Sequence, residues 1–65
     1  MLISEIHESF VNGQNRQAVK QINEYGLYDF WQDYDDYLNE TYETINSIHA
    51  YFKSAVIAYH RITNR

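Results

Sequence analysis

Apolar residues follow one helical spacing from Tyr28 to Ile62, a stretch that contains neither glycine nor proline. Beginning at Trp31, apolar side chains recur every seven positions, and a second, mostly apolar series follows each of them by three. This is the a/d spacing by which helices pack against one another. The pattern therefore predicts one long C-terminal helix, about 50 Å in length at 1.5 Å per residue if it is unbroken.

The weak point of this predicted helix lies near residues 36–40. Asp and Asn side chains in this region compete for backbone hydrogen bonds, and neighbouring acids repel one another. Two alternatives follow: one continuous helix, or two helices over about residues 28–38 and 39–64. The heptad register passes through the junction without a slip, which favours the continuous helix.

Two glycines divide the first part of the chain. Residues 1–11 form an amphipathic helical pattern that ends before Gly13, and residues 16–25 form a second one that ends before Gly26. Glycine after the last apolar position is a typical helix C-terminal signal, and Asn15 is a typical N-cap. The predicted fold is therefore all-α, with a short N-terminal helical hairpin packed on a long C-terminal helix.

The length of the chain predicts a single domain, residues 1–65, with a marginal core. Domains of this size commonly add disulfides, a metal or a partner subunit. The chain contains no cysteine, so a partner subunit is the remaining way to complete the core. We expect a homodimer formed through a seam of the long helix. The seam residues are Leu38, Ile45, Ile48, Phe52, Ala55, Tyr59 and Ile62.

The charges are separated along the chain, which carries a formal net charge of −4. No lysine or arginine lies between Lys20 and Lys53, the interval that holds most of the acids, whereas Arg61 and Arg65 follow near the C-terminal end. Nucleic-acid phosphates repel such a chain, and basic protein surfaces attract it. Because no signal-peptide pattern or long apolar run is present, we expect a cytoplasmic protein that contacts neither membrane nor nucleic acid directly.

No residue pattern points to catalysis or to a cofactor. His7, His49 and His60 lack the short spacings of a metal site on a helix. Gly13 and Gly26 are the only glycines, so the chain has no glycine-rich phosphate loop and no glycine-framed nucleophile. We therefore expect a protein that is not an enzyme, binds no metal and carries its histidines at the surface.

Acidic and aromatic residues are interleaved in the first half of the long helix. Asp29, Asp33 and Asp36 share one helical face, and such a row is often only a solvated outer face. The aromatic neighbours favour a docking surface instead, because tyrosine gives interfaces a large contact area at a low entropic cost. The candidate partner-binding residues are Tyr28, Asp29, Asp33, Tyr34, Asp35, Asp36, Glu40, Tyr42 and Glu43.

An alternative interpretation places the function on the first two helices. Arg16 and Lys20 lie on a short helix after a tight turn, as in a DNA-recognition helix. Two basic residues are too few to offset the net negative charge unless Arg61 and its neighbours share the same face. The alternative function is a small dimeric helical transcriptional regulator or DNA-binding protein.

The segment from Phe10 to Gly13, followed by Gln17-Ala18, resembles the openings of small proteins from phages and other mobile elements. The likeness covers about residues 3–26 and carries over no site residues. It implies an inhibitor of host machinery, such as a CRISPR effector, a restriction enzyme or a transcription factor. Together with the acidic row, it predicts a non-catalytic anti-defence or anti-CRISPR inhibitor that occludes a basic, nucleic-acid-binding site on a host protein.

Overall fold

The computed structural model describes residues 1–64, which form four α-helices and no strand. The helices are α1 (Ile3–Val11), α2 (Asn15–Tyr25), α3 (Leu27–Thr41) and α4 (Ile45–Thr63). The all-α fold class predicted from the sequence is confirmed. Helices α2 and α3 contact each other, and each of them also packs against both α1 and α4. The two middle helices therefore form the centre of the packing.

Helices α1 and α2 pack against each other across a turn at Gly13. The φ angle of Gly13 is 77°, a left-handed conformation that glycine adopts without a Cβ penalty. The backbone N–H of Gln14 donates to the carbonyl of Ser9 at 2.9 Å, and Ser9 Oγ donates to Gln21 Oε1 at 2.8 Å. Asn15 is the first residue of α2 rather than its N-cap, and Gln14 holds the cap position without a side-chain hydrogen bond.

The predicted long helix is in fact two helices, and the expected position of the break was wrong. Helix α3 continues through residues 36–40 and ends at Thr41, and α4 begins at Ile45. Asp and Asn side chains are tolerated in α3 because they lie on its outer face. One of them even bonds within the helix, since Asn39 Nδ2 donates to the carbonyl oxygen of Asp35 at 2.8 Å.

The chain reverses at Tyr42–Thr44, where Tyr42 has extended backbone angles (φ −117°, ψ 137°). Threonine and tyrosine have modest helix propensity, so the local preference for helix is weak there. The reversal lays the apolar stripe of α4 on that of α3, with the Phe52 ring 5.4 Å from Trp31 and 6.1 Å from Tyr34 between centroids. A continuous helix would leave both stripes in water, so burial decides against continuity.

The predicted dimer seam lies largely inside the chain's own core. Leu38 and Ala55 are fully buried there, and Ile48 is nearly so. These three side chains stabilise the fold of a single chain and are not available to a second copy. The other seam residues are either half-buried or exposed: Phe52, Tyr59 and Ile62 are half-buried, and Ile45 is exposed.

Candidate functional site

Helix α3 turns one face to the core and the opposite face to solvent. Phe30, Tyr34 and Leu38 are spaced four residues apart and are each 0 % exposed. Because side chains four apart lie on one helical face, their burial sets the rotation of α3 about its axis. The carboxylates at three- and four-residue spacing then lie along its outer side. We call these four exposed residues the acidic stripe: Asp29, Asp33, Asp36 and Glu40.

Most of the predicted partner-binding residues lie at the surface of α3 and of the link that follows it. Tyr28 is 87 % exposed at the start of the helix. The exposed acidic candidates are Asp29, Asp33, Asp35, Asp36, Glu40 and Glu43. Two tyrosines require a correction, because Tyr34 is fully buried and Tyr42 is half-buried with its hydroxyl bonded to His7. Tyr34 falls on the inner face of α3, so it is not a surface anchor.

One carboxylate of the stripe also has a structural role. The hydroxyl of Tyr25, at the end of α2, donates a hydrogen bond to Asp33 Oδ2 on α3. This bond to the carboxylate raises the pKa of the Tyr25 hydroxyl above its ordinary value. Asp33 is thereby held in place across the α2–α3 junction, and replacing it would disturb the fold as well as the surface charge.

The charge density of α3 is close to that of one DNA strand. The segment from Asp29 to Glu40 spans about 16 Å of helix axis at 1.5 Å per residue. It carries the four carboxylates of the acidic stripe, which amounts to roughly one charge per 4 Å, whereas one DNA strand carries one phosphate per about 3.4 Å. The spacing of negative charge along the outer face of α3 is therefore similar to that of a row of phosphates.

One histidine, His7, lies in the interior of the protein, so the prediction that the histidines lie at the surface was wrong for this residue. His7 on α1 is only 6 % exposed, and its two ring nitrogens lie 2.8 Å from the hydroxyls of Tyr34 and Tyr42. Because the Tyr34 hydroxyl is buried against His7 Nδ1, we assign the tautomer that satisfies its proton, in which Tyr34 donates to Nδ1. The neutral ring then carries its own proton on Nε2, which donates to the Tyr42 hydroxyl oxygen.

Aromatic rings from α3 and α4 complete the surroundings of His7. The rings of Tyr37 and Tyr51 lie 5.3 Å and 5.1 Å from the imidazole between centroids. Burial lowers the pKa of His7 and is also the main cause of the raised pKa of Tyr34. We call this group the His7 cluster. It ties α1 to α3, to the link and to α4, and so supports the helix that carries the acidic stripe.

A sequence signal for the His7 cluster existed but was missed. His7 lies one residue after Ile6 and three before Phe10, on the same apolar face of α1. A polar residue on such a face is buried with the face and needs hydrogen-bond partners there. The sequence pattern did not identify those partners, because Tyr34 and Tyr42 lie on other elements.

The basic residues are divided between separate grooves. Arg16 at the start of α2 and Arg61 near the end of α4 line one groove of 740 Å³. Lys53 lines a different groove beside Asp35, and Arg65 lies outside the described residues. Arg16 also lines a groove with Lys20, so three basic residues, Arg16, Lys20 and Arg61, lie in neighbouring grooves. Three basic residues can neutralise few phosphates, so the electrostatic support for the DNA-binding alternative is small.

Neither a metal centre nor a membrane-spanning segment is found in the part of the chain that the structure describes. Residues 1–64 contain no cluster of three or more histidine or carboxylate side chains placed to hold a metal ion. None of the helices within that range has the length and apolarity required to cross a bilayer. Comparison of the chain with protein families, with curated proteins and with solved structures gave no match.

Proposed function

We propose that this protein is a non-catalytic inhibitor that docks the outer face of α3 onto a basic surface of a host protein. The observation that carries this proposal is the acidic stripe, a line of exposed carboxylates on a helix that contains no lysine or arginine. A surface of a single charge sign steers association toward a surface of the opposite sign. Because the spacing of these charges is similar to that of phosphates along a DNA strand, the basic surface that we propose is a nucleic-acid-binding site, which the bound inhibitor occludes.

Tyr28 is the aromatic anchor of the proposed interface. Its ring is exposed at the N-terminal end of the acidic stripe, directly before Asp29. Burial of a tyrosine against a partner contributes a large contact area and a hydroxyl that can bond to the target. The partner therefore combines a row of lysines or arginines with an apolar pocket at one end of that row.

The packing of α3 presents this surface in a fixed conformation. Helix α3 contacts the other three helices, and Phe30 and Leu38 anchor its inner face without exposure. A partner that binds a rigid helix does not have to order it first, and this lowers the free-energy cost of binding. The resemblance of the first two helices to phage proteins points to anti-defence inhibition, with a CRISPR effector or a restriction enzyme as the target class.

Charge reversal at the C-terminal end of the stripe tests this function. The variant replaces Asp36, Glu40 and the neighbouring Glu43 with lysine, which avoids Asp33 and its hydrogen bond. We expect capture of the partner from nuclease-treated bacterial lysate to fall roughly tenfold or more, because like charges across an interface cost several kcal/mol. The measurement is the amount of partner retained by the tagged protein, quantified by mass spectrometry.

The matched control makes the same change in net charge away from α3. Glu5, Glu8 and Glu24 are exposed on α1 and α2, and their replacement with lysine is expected to leave capture within about twofold of the unmodified protein. Circular dichroism and thermal unfolding are the measurements that check whether both variants fold. Full retention of the partner by the α3 variant, or equal losses in the two variants, would overturn the proposed docking surface.

A further inference from the structure

The outer side of α4 carries an apolar groove that the chain itself does not fill. The groove has a volume of 550 Å³, and its accessible apolar lining comes from Phe52, Val56 and Ile57, next to the nearly buried Ile48. Ile57 is 42 % exposed, and Ile45 at the start of the same helix is 67 % exposed. These two isoleucines lie about 18 Å apart along α4, and the groove lies between them, so this side of the helix offers apolar surface that can be buried against another apolar surface.

Three residues that line this groove, His49, Phe52 and Val56, continue the helical spacing of a second seam, which begins one turn earlier at Ile45, outside the groove. Ile45, His49, Phe52 and Val56 follow one another at four, three and four residues, which is a heptad pattern. The first seam of α4 faces α3 and includes the buried Ala55. The second seam is rotated away from Ala55: Ile45 and His49 are exposed and Val56 is half-buried, while the half-buried Phe52 borders both seams because its ring also packs on α3. The accessible part of this seam suits a partner helix of similar apolar character.

Two opposite charges lie on the two edges of the groove. Asp35 on α3 lines it on the side where α3 packs, and Lys53 lines it from α4. Lys53 is five residues from the buried Ile48, about 140° around the helix, so it lies on the side of the groove away from α3. Asp35 is nearly level with Lys53 along α4, because the preceding Tyr34 stacks on Phe52 at 6.1 Å.

We propose that the occupant of this groove is a second copy of the same chain, which forms a parallel two-fold dimer through the outer faces of α4. A two-fold axis parallel to α4 places the Asp35 side of one groove against the Lys53 side of the other, at the same position along the helix axis. Asp35 of each copy then faces Lys53 of the other, and the seam residues meet their own equivalents. An antiparallel pair would instead place like edges together, with Lys53 against Lys53, so the charges select the parallel arrangement.

This dimer is independent of the proposed inhibitor function. The acidic stripe lies on a different face of α3 from Asp35, so a dimer displays two stripes to solvent. Asp35 then belongs to the contact between copies rather than to the contact with the host protein. A domain of this small size buries little apolar surface in its own core, so pairing with a second copy adds apolar burial.

A charge-swap experiment by sedimentation equilibrium tests the dimer. Asp35→Lys and Lys53→Asp each place like charges across both contacts, and we expect each to raise the dimer dissociation constant about tenfold. The double variant restores opposite charges and is expected to return to within about threefold of the unmodified protein. A double variant that dimerises no better than the single ones, or a wild-type protein that stays monomeric up to millimolar concentration, would overturn the proposal.

An apolar variant tests the seam separately from the charges. Ile45→Ser removes an exposed seam residue, and Val11→Ser is the matched control, because Val11 is 55 % exposed at the end of α1 and lies outside the groove. We expect Ile45→Ser to weaken the dimer at least threefold and Val11→Ser to leave it unchanged. Equal effects of the two variants count against the seam. A result that rules out the dimer does not change the expected capture result for the stripe variants. Failure of the dimer proposal is therefore distinguishable from failure of the inhibitor proposal.

Discussion

Replacing Phe30 with alanine is expected to remove most of the stability of this protein. Phe30 is fully buried and contacts the rings of Tyr25, Trp31 and Tyr34, between 4.8 and 6.4 Å from centroid to centroid. Truncation of a buried phenylalanine costs about 3–5 kcal/mol through lost burial and the cavity left behind. A domain of this length has a total stability of roughly 3–10 kcal/mol, so the variant lies at or near the point of unfolding.

Urea denaturation followed by circular dichroism measures this loss against two controls. Phe30→Leu keeps most of the side-chain volume and is expected to cost only about 1–1.5 kcal/mol. Tyr28→Ala removes a neighbouring aromatic ring that is 87 % exposed, and its effect is expected to stay within about 0.5 kcal/mol. If Tyr28→Ala proved as destabilising as Phe30→Ala, the rotation of α3 described above would be wrong.

The His7 cluster is expected to make stability depend on pH near neutrality. Burial lowers the pKa of His7 in the folded protein, so the unfolded chain binds a proton more readily than the folded one. The stability contributed by the neutral ring is complete above the unfolded pKa of about 6.5 and is lost as the pH falls toward the folded pKa. The steepest loss from this one site is about 1.4 kcal/mol per pH unit.

The hydrogen bonds of the cluster explain why protonation is unfavourable. A proton on Nδ1 would face the hydroxyl proton of Tyr34, because the hydroxyl oxygen lies 2.8 Å from Nδ1 and the tyrosine has no exposure to water. Tyr34 would have to turn its hydroxyl away without another acceptor, and an unsatisfied buried donor costs about 1–3 kcal/mol. The surrounding groups from the other elements are the phenols of Tyr37, Tyr42 and Tyr51, none of which carries a charge that would stabilise the imidazolium.

Three histidine variants separate this site from the rest of the chain. His7→Gln is expected to lower the stability near pH 7.5 but to remove most of its change between about pH 7.5 and pH 5.5. His49→Gln and His60→Gln replace exposed histidines on α4 and are expected to keep the pH dependence of the unmodified protein. The urea midpoint at each pH is the measurement. A His7→Gln variant with the same pH dependence as the wild type would assign that dependence to other groups.

The short helices were predictable because their signals are local. Gly13 and Gly26 both have positive φ angles and both end a helix, as expected from glycine after an apolar pattern. The apolar face of α2 was also visible from the spacing of Ala18, Val19 and Ile22, which are all buried. Such features depend on a few neighbouring residues, so a sequence pattern is sufficient to locate them.

The reversal between α3 and α4 could not be placed in the same way. The residues expected to break the helix lie on an exposed face, where Asp and Asn are tolerated, and the actual break at Tyr42–Thr44 contains no strong helix breaker. What decides its position is the packing of Phe52 on Tyr34 and Trp31, which lie many residues earlier. The same tertiary packing turned Tyr34 inward and brought its hydroxyl to His7, so part of the candidate site was misassigned.

Competition with duplex DNA tests most directly whether α3 occupies a nucleic-acid-binding site. The partner identified by capture is loaded with the tagged protein and then titrated with a DNA duplex that the partner binds. We expect the duplex to displace the inhibitor. The DNA concentration at which half of the inhibitor is displaced should rise as more inhibitor is added. A stable ternary complex, in which duplex and inhibitor bind the same partner without weakening each other, would contradict occlusion by the acidic stripe.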